Sequence, residues 1–285
     1  MIEGEVDWFF VPLPPAAAIG RAQVTELAKG LFTMQLCWDA PGGAPERLRP
    51  GISVRAWLRP GSLVGVVLER TPEGLALGLP AGAAPSDWGL GMCLAVGLAR
   101  AAGAQVRTPE GEQLSPEQLL SRAEPPLLWK RWVGETEEVF AYVKEAGEIL
   151  VLEGLRRLHV GRAVTKTCRD APDPPRMLLR VLNRSTHLIG LERFNEAART
   201  LNEEAGRRWH SVAVAPERAL VLRDPEYLEL EGTPAGSFLP LPRLQKAVGQ
   251  SLEQLDELTF ALPAIPRAEW PRVLERAQPL LLRIP

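Results

Sequence analysis

The sequence predicts an α+β protein of two mixed domains, each a small, mostly antiparallel sheet packed by one or two dominant helices. Three features carry this. Short apolar runs recur between Pro- and Gly-rich turn signals, as in strands joined by tight connections. A few longer stretches have the capping and spacing of helices. Neither half shows the regular strand–helix alternation of a doubly wound sheet or a barrel of parallel strands. The expected bounds are 1–124 and 135–285, with 125–134 as linker. A ferredoxin-like sandwich is one arrangement open to the first half.

Residues 6–11 (Val-Asp-Trp-Phe-Phe-Val) form an apolar run stopped by Pro12, so they predict a first strand with Trp8, Phe9 and Phe10 in its core. A short helix over 21–29 sets Val24, Leu27 and Ala28 on one side. Alternation over 31–38 predicts a strand, and a Pro/Gly-rich loop spans 40–51. The runs 52–58, 62–69 and 75–79 are separated by Arg59-Pro60-Gly61 and Thr71-Pro72-Glu73-Gly74, which predicts an antiparallel meander. A helix over 88–102 is apolar on all sides, with Ser86 as N-cap and Gly103 after its end. Its glycines at 89, 91 and 97 lower helix propensity, so close packing must require them small. A short strand follows over 104–107, then a helix opened by the capping box Ser115-Pro116-Glu117-Gln118.

Pro125-Pro126 and Trp129-Lys130-Arg131-Trp132 read as a linker whose two tryptophans anchor it, before Thr136 caps a helix ending at Gly147. Residues 148–152 and 155–167 predict a hairpin, and 177–182 another strand. Leu191, Phe194, Ala197, Ala198 and Leu201 fall at helical spacing. A hairpin is expected from 211–215 and 219–222, and short helices over 243–248, 251–258 and 270–277.

Composition narrows the function classes. The chain of 285 residues is 46% hydrophobic with a net charge of −2, which removes the overall electrostatic argument for a polyanion or membrane-surface protein. Its three cysteines, Cys37, Cys93 and Cys168, are far apart with no CxxC pair, which suits a reducing compartment and offers neither a redox pair nor a zinc ribbon. The acidic N-terminus is unlike a signal peptide, and no run reaches the length of a membrane span, so a cytoplasmic location is expected. Few Asn, Cys and Met beside 27 prolines fit a heat-adapted protein and a GC-rich genome equally.

No cofactor or metal is expected. Gly89-Leu90-Gly91 lacks the third glycine and the preceding strand of a dinucleotide fingerprint, and no phosphate-loop motif occurs. The histidines at 159, 187 and 210 make no i, i+4 ligand pair. The polar stretches 165–170 and 183–187 are the densest. Cys168 beside Lys166 and Arg169 is a candidate nucleophile, His187 a candidate base, and Asp170 or Asn183 its orienting partner. Residues 155–184 carry +6 and residues 217–257 carry −4, a contrast hidden by the total. Arg156, Arg157, Arg162, Lys166, Arg169 and Arg184 are the candidate binding residues of that basic stretch.

Three functions follow as expectations. The first is a non-catalytic interaction or regulatory protein, with a homodimer or a protein of matched charge as its partner. The second is a hydrolase or transferase built on Cys168, His187 and Asp170. The third is a polyanion- or nucleic-acid-binding protein using residues 156–184.

Overall fold

The computed structural model describes residues 6–14, 19–28, 35–39, 47–204, 206–249 and 252–283. The fold is α+β, and by its internal contacts the chain divides into two compact units, Met1–His187 and Leu188–Pro285. The first unit contains β1 (Val6–Pro12), α1 (Arg21–Ala28), β2 (Gln35–Asp39), β3 (Ser53–Arg59), β4 (Val66–Arg70), β5 (Gly74–Pro80), α2 (Pro85–Ala102), β6 (Val106–Arg107) and β7 (Gln113–Leu114). After these come α3 (Pro116–Arg122), α4 (Pro125–Ala146), β8 (Leu150–Glu153), β9 (Arg157–Val160), α5 (Arg162–Arg169) and α6 (Pro174–His187).

The meander expected from the turn signals is the centre of a seven-stranded antiparallel sheet, ordered β2-β3-β4-β5-β1-β6-β7. Hairpins join β2-β3-β4-β5 and β6-β7, and β1 lies between β5 and β6, which differs from the interleaved order of a ferredoxin-like sandwich. Alternation along each strand separates two faces. Phe9, Val11, Val54, Ala56, Leu58, Leu68, Leu75, Leu77 and Leu79 are buried on the inner face, under α2. A Cβ on Gly91 would come within 3.2 Å of Leu79, and one on Gly97 within 2.8 Å of Leu27. Two of the helix glycines are therefore close-approach positions. The N-cap of α2 is Ala84 rather than Ser86. Asp87, three residues on, accepts the Ala84 N–H, and the Ser86 hydroxyl instead donates to the Gly61 carbonyl.

Residues 125–134, expected as a linker, are the first half of the 22-residue helix α4. Two prolines fit the first turn, where no backbone N–H is needed. The stripe Leu128, Trp132, Thr136, Phe140, Val143 then buries one face. Thr136 is not a cap; its hydroxyl donates to the Trp132 carbonyl. The hairpin after Gly147 is real but short. Its second strand stops at Val160, and 162–169 is helical with Val164 and Cys168 buried at i, i+4 spacing. Residues 177–182 are likewise inside α6, again opened by prolines, with Leu178 and Leu182 buried.

The second unit contains β10 (Asn195–Glu196), β11 (Arg199–Glu204), β12 (Arg207–Val214), β13 (Leu220–Arg223), β14 (Tyr227–Leu230), β15 (Ser237–Pro240), α7 (Leu244–Val248), β16 (Glu253–Gln254), β17 (Thr259–Leu262), α8 (Trp270–Ala277) and β18 (Leu282–Arg283). They build a four-stranded sheet, β10-β13-β17-β16, and a five-stranded one, β11-β12-β14-β15-β18. The helix expected over 191–201 is absent. Gly206, at φ +79°, turns β11 back on β12 through six paired residues, and that pairing overrides the spacing of the apolar side chains. The expected hairpin of 211–215 with 219–222 is a crossing between the two sheets, because β12 pairs with β11 and β14 while β13 pairs with β10 and β17. The expected helix over 251–258 is replaced by β16, with Ser251 outside the described residues. The expected strand residues 31–34 and loop residues 40–46 also lie outside them.

Candidate functional site

Outer-face side chains of the seven-stranded sheet form the floor of a cleft of about 690 Å³. Register puts Arg55, Val67, Gly78 and Trp8 in one cross-strand row, and Ser53, Glu69, Ala76 and Phe10 in the next. Gly78 makes the low point. A Cβ there would sit 2.8 Å from both the Trp8 ring and Val6, so only glycine lets the Trp8 indole lie over the sheet. Trp8 remains 36% exposed, whereas its neighbour Phe9 turns inward and meets Trp88 edge-on at 6.1 Å. The Trp-Phe-Phe run expected to be core is therefore shared between core and cleft.

The walls are α4, presenting Arg131, Trp132, Glu135, Glu138, Val139 and Tyr142, and β8, presenting Leu150, Val151 and Leu152. Arg131 lies 3.5 Å from the Trp88 ring centroid and pairs with Asp7 at 2.7 Å and Glu135 at 3.0 Å. Burial pushes the Glu135 carboxyl above its ordinary range, Arg131 partly offsets this, and Glu138 and Asp7 add to the rise. Trp132 fixes the helix by donating to the Pro175 carbonyl at 2.9 Å. The Arg176 guanidinium lies 5.6 Å from the Trp129 ring, so both tryptophans of the supposed linker serve packing within the first unit. Arg55 donates to the Gly154 carbonyl at 2.7 Å. Among the described residues, Glu69 and Glu138 have no ion pair.

Beside the cleft, on the other side of Arg55, a smaller notch of about 280 Å³ is lined by Arg55, Trp57, Arg59, Leu155, Arg156, Thr186 and His187. Gly154 permits this arrangement. A Cβ on it would be 2.5 Å from the Leu63 carbonyl, and Leu155 N–H bonds that same oxygen at 3.0 Å, so the β8–β9 turn is clamped onto the β3–β4 connection. His187 Nε2 lies 2.7 Å from the Ser62 carbonyl and 3.3 Å from the Gly61 N–H; the shorter contact favours a ring that donates from Nε2. Burial pulls the His187 pKa below its ordinary value, the Ser62 carbonyl opposes this, and the charges of Arg59 and Arg156 lower it further.

The sequence candidates for covalent chemistry have separate surroundings. Cys168 is fully buried in the hydrophobic core, which pushes its thiol up to about 11. Lys166 turns to Asp170, at 2.9 Å across the exposed end of α5. Asn183 is on α6 with its side-chain oxygen buried. His187 is held by the 61–62 turn. Among the described residues no side-chain hydrogen bond joins Cys168, Asn183 or His187 to one another or to Asp170. The candidate basic residues also diverge. Arg156 lines the notch, Arg157 is on β9, Arg162 starts α5, Arg169 donates to the Phe140 carbonyl at 3.1 Å, and Arg184 is on α6. Arg55, Arg59 and Trp57 of the notch, and Trp8, Glu69 and Glu138 of the cleft, went unmarked as functional residues. Each is ordinary in its own segment, and only strand register and the placement of α4 bring them together.

No three His, Cys, Asp or Glu side chains gather as a metal-holding group among the described residues, and no helix there is long and apolar enough to cross a membrane. In comparisons with known proteins, no family model, no curated protein and no solved structure matches this chain.

Proposed function

We propose that this chain is a non-catalytic binding protein whose cleft takes a small apolar amine, an ammonium group on an aromatic or aliphatic body. One observation carries the reading. Both arginines of an aromatic and aliphatic cleft are already engaged, Arg131 by Asp7 and Glu135 and Arg55 by a carbonyl, while Glu69 and Glu138 have no ion pair among the described residues. Apolar walls with a few placed polar groups are the usual form of a small-molecule site. Here the surplus of negative charge selects a cation, and the Trp8 and Tyr142 rings add cation–π attraction. A hydrolase or transferase centred on Cys168 has less support, because a buried thiol near 11 is a poor nucleophile at neutral pH.

Calorimetric titration with phenethylamine and, in parallel, with phenylpropionate tests this. The two share an apolar body and differ in charge. The amine is expected to bind with a Kd below about 1 mM and the acid to give no saturable heat. Equal binding of the two, or binding of neither, overturns the reading.

A further inference from the structure

We infer that the notch between β3, the β8–β9 turn and the end of α6 is a separate anion site, built for the phosphate group of a phosphomonoester. Three guanidinium-bearing residues from two non-adjacent segments, Arg55 and Arg59 on β3 and Arg156 on the turn, line about 280 Å³, and no carboxylate is among the lining residues. Burial is the main cause of the depressed His187 pKa; Arg59 and Arg156 add to it, and Asp87 opposes them. Planar guanidiniums match the oxygens of a doubly charged phosphate in pairs. Thr186 supplies a neutral partner. It is 2% exposed, and its hydroxyl has no hydrogen-bond partner among the described residues. Trp57 adds a ring at the same site, suited to the aryl or base portion of a monoester.

The architecture holds these groups without a ligand. Asp87 and Ser86 fasten the 61–65 turn to α2, His187 bonds its Ser62 carbonyl, and Arg55 and Leu155 tie the β8–β9 turn to the same connection. The site therefore needs only local side-chain adjustment, which favours binding. Its charge preference is opposite to that of the amine cleft, so the two stand or fall separately.

The test is a phosphorus NMR and calorimetric titration of the full chain with inorganic phosphate and with phenyl phosphate at low ionic strength. Saturable binding of both is expected, tighter for phenyl phosphate. R59Q and R156Q should each weaken it by about tenfold or more, and T186V by severalfold. K166Q is the control, since Lys166 belongs to the same basic stretch but lies outside the notch, and it should bind like the wild type. E69Q, in the cleft, should also leave phosphate binding unchanged. No saturable binding, an equal loss in K166Q, or wild-type affinity in both R59Q and R156Q overturns the proposal. Binding of a single-stranded oligonucleotide without binding of phenyl phosphate overturns the monoester assignment.

Discussion

Asp87 shows how much one buried side chain can organise. Its carboxylate accepts the N–H groups of Ala84, Leu63, Val64 and Gly65 at 2.9–3.2 Å, at the positive end of α2. Burial pushes its pKa up, and the Ser62 hydroxyl and backbone donors pull against that rise. Asp87→Ala leaves four buried donors without their acceptor, so it should cost about 3 kcal/mol or more, read from urea unfolding. A loss within the range of an ordinary surface substitution would contradict this role. Local sequence does not reveal this role of Asp87, because its partners at 63–65 lie in another segment. Cys168 gives a second test at this scale. Its folded pKa of about 11 exceeds the ordinary thiol value of 9.0, so the folded state holds the thiol proton more tightly than the unfolded chain. Its contribution to stability is thus intact below pH 9.0 and is lost as pH rises from there toward 11. Thiol labelling at about pH 8 should spare Cys168 until the protein unfolds. Its modification in the folded state, at the rate of an exposed thiol, would contradict the burial.

Among the elements, those read correctly from sequence include β1, α1, α7 and α8 and, most plainly, the 52–80 meander, the apolar α2 and the capped α3. In the last three, turn residues, caps and periodicity agree. Those misread met a signal that cuts both ways. Prolines at 125–126 and 174–175 break a helix from inside but open one at its first turn, and α4 and α6 use the second meaning. Helical spacing over 191–201 lost to long-range pairing with β12, which local sequence does not report. Gly134 offers a direct check on α4. It lies mid-helix, and a Cβ on it would meet no heavy atom within 4 Å. Gly134→Ala should therefore raise stability by about 1 kcal/mol, seen as a higher Tm. In an irregular linker the same change would leave Tm where it was. Gly78→Ala should act the other way, displacing Trp8 and Val6 at a cost of about 1–3 kcal/mol and weakening amine binding in calorimetry.

Across the whole molecule, the charge contrast of the sequence takes a different form in three dimensions. The basic stretch 155–184 belongs almost entirely to helices and strands of the first unit, where Lys166 and Arg169 have local partners and Arg156 meets two arginines of β3 that sequence could not associate with it. The acidic stretch 217–257 belongs to the second unit. What positions both proposed sites is the outer face of one sheet, with Arg55 on the border between them. The cleft carries a pH signature as well. An aliphatic amine stays protonated well above neutrality, so the affinity should follow the carboxyls. Glu135 balances Arg131, so protonating it leaves that positive charge facing the cleft; since burial raises the Glu135 pKa, amine binding should begin to weaken, as pH falls, before an ordinary carboxylate would protonate. Calorimetry across that range would show a flat affinity if the carboxyls took no part.

The most direct measurement is a crystal structure of the protein soaked with phenethylamine. Density for the ring is expected among Trp8, Val139 and Tyr142, with the ammonium group beside Glu69 or Glu138. An unchanged cleft at a saturating amine concentration, or an amine bound only elsewhere on the chain, would contradict this expectation.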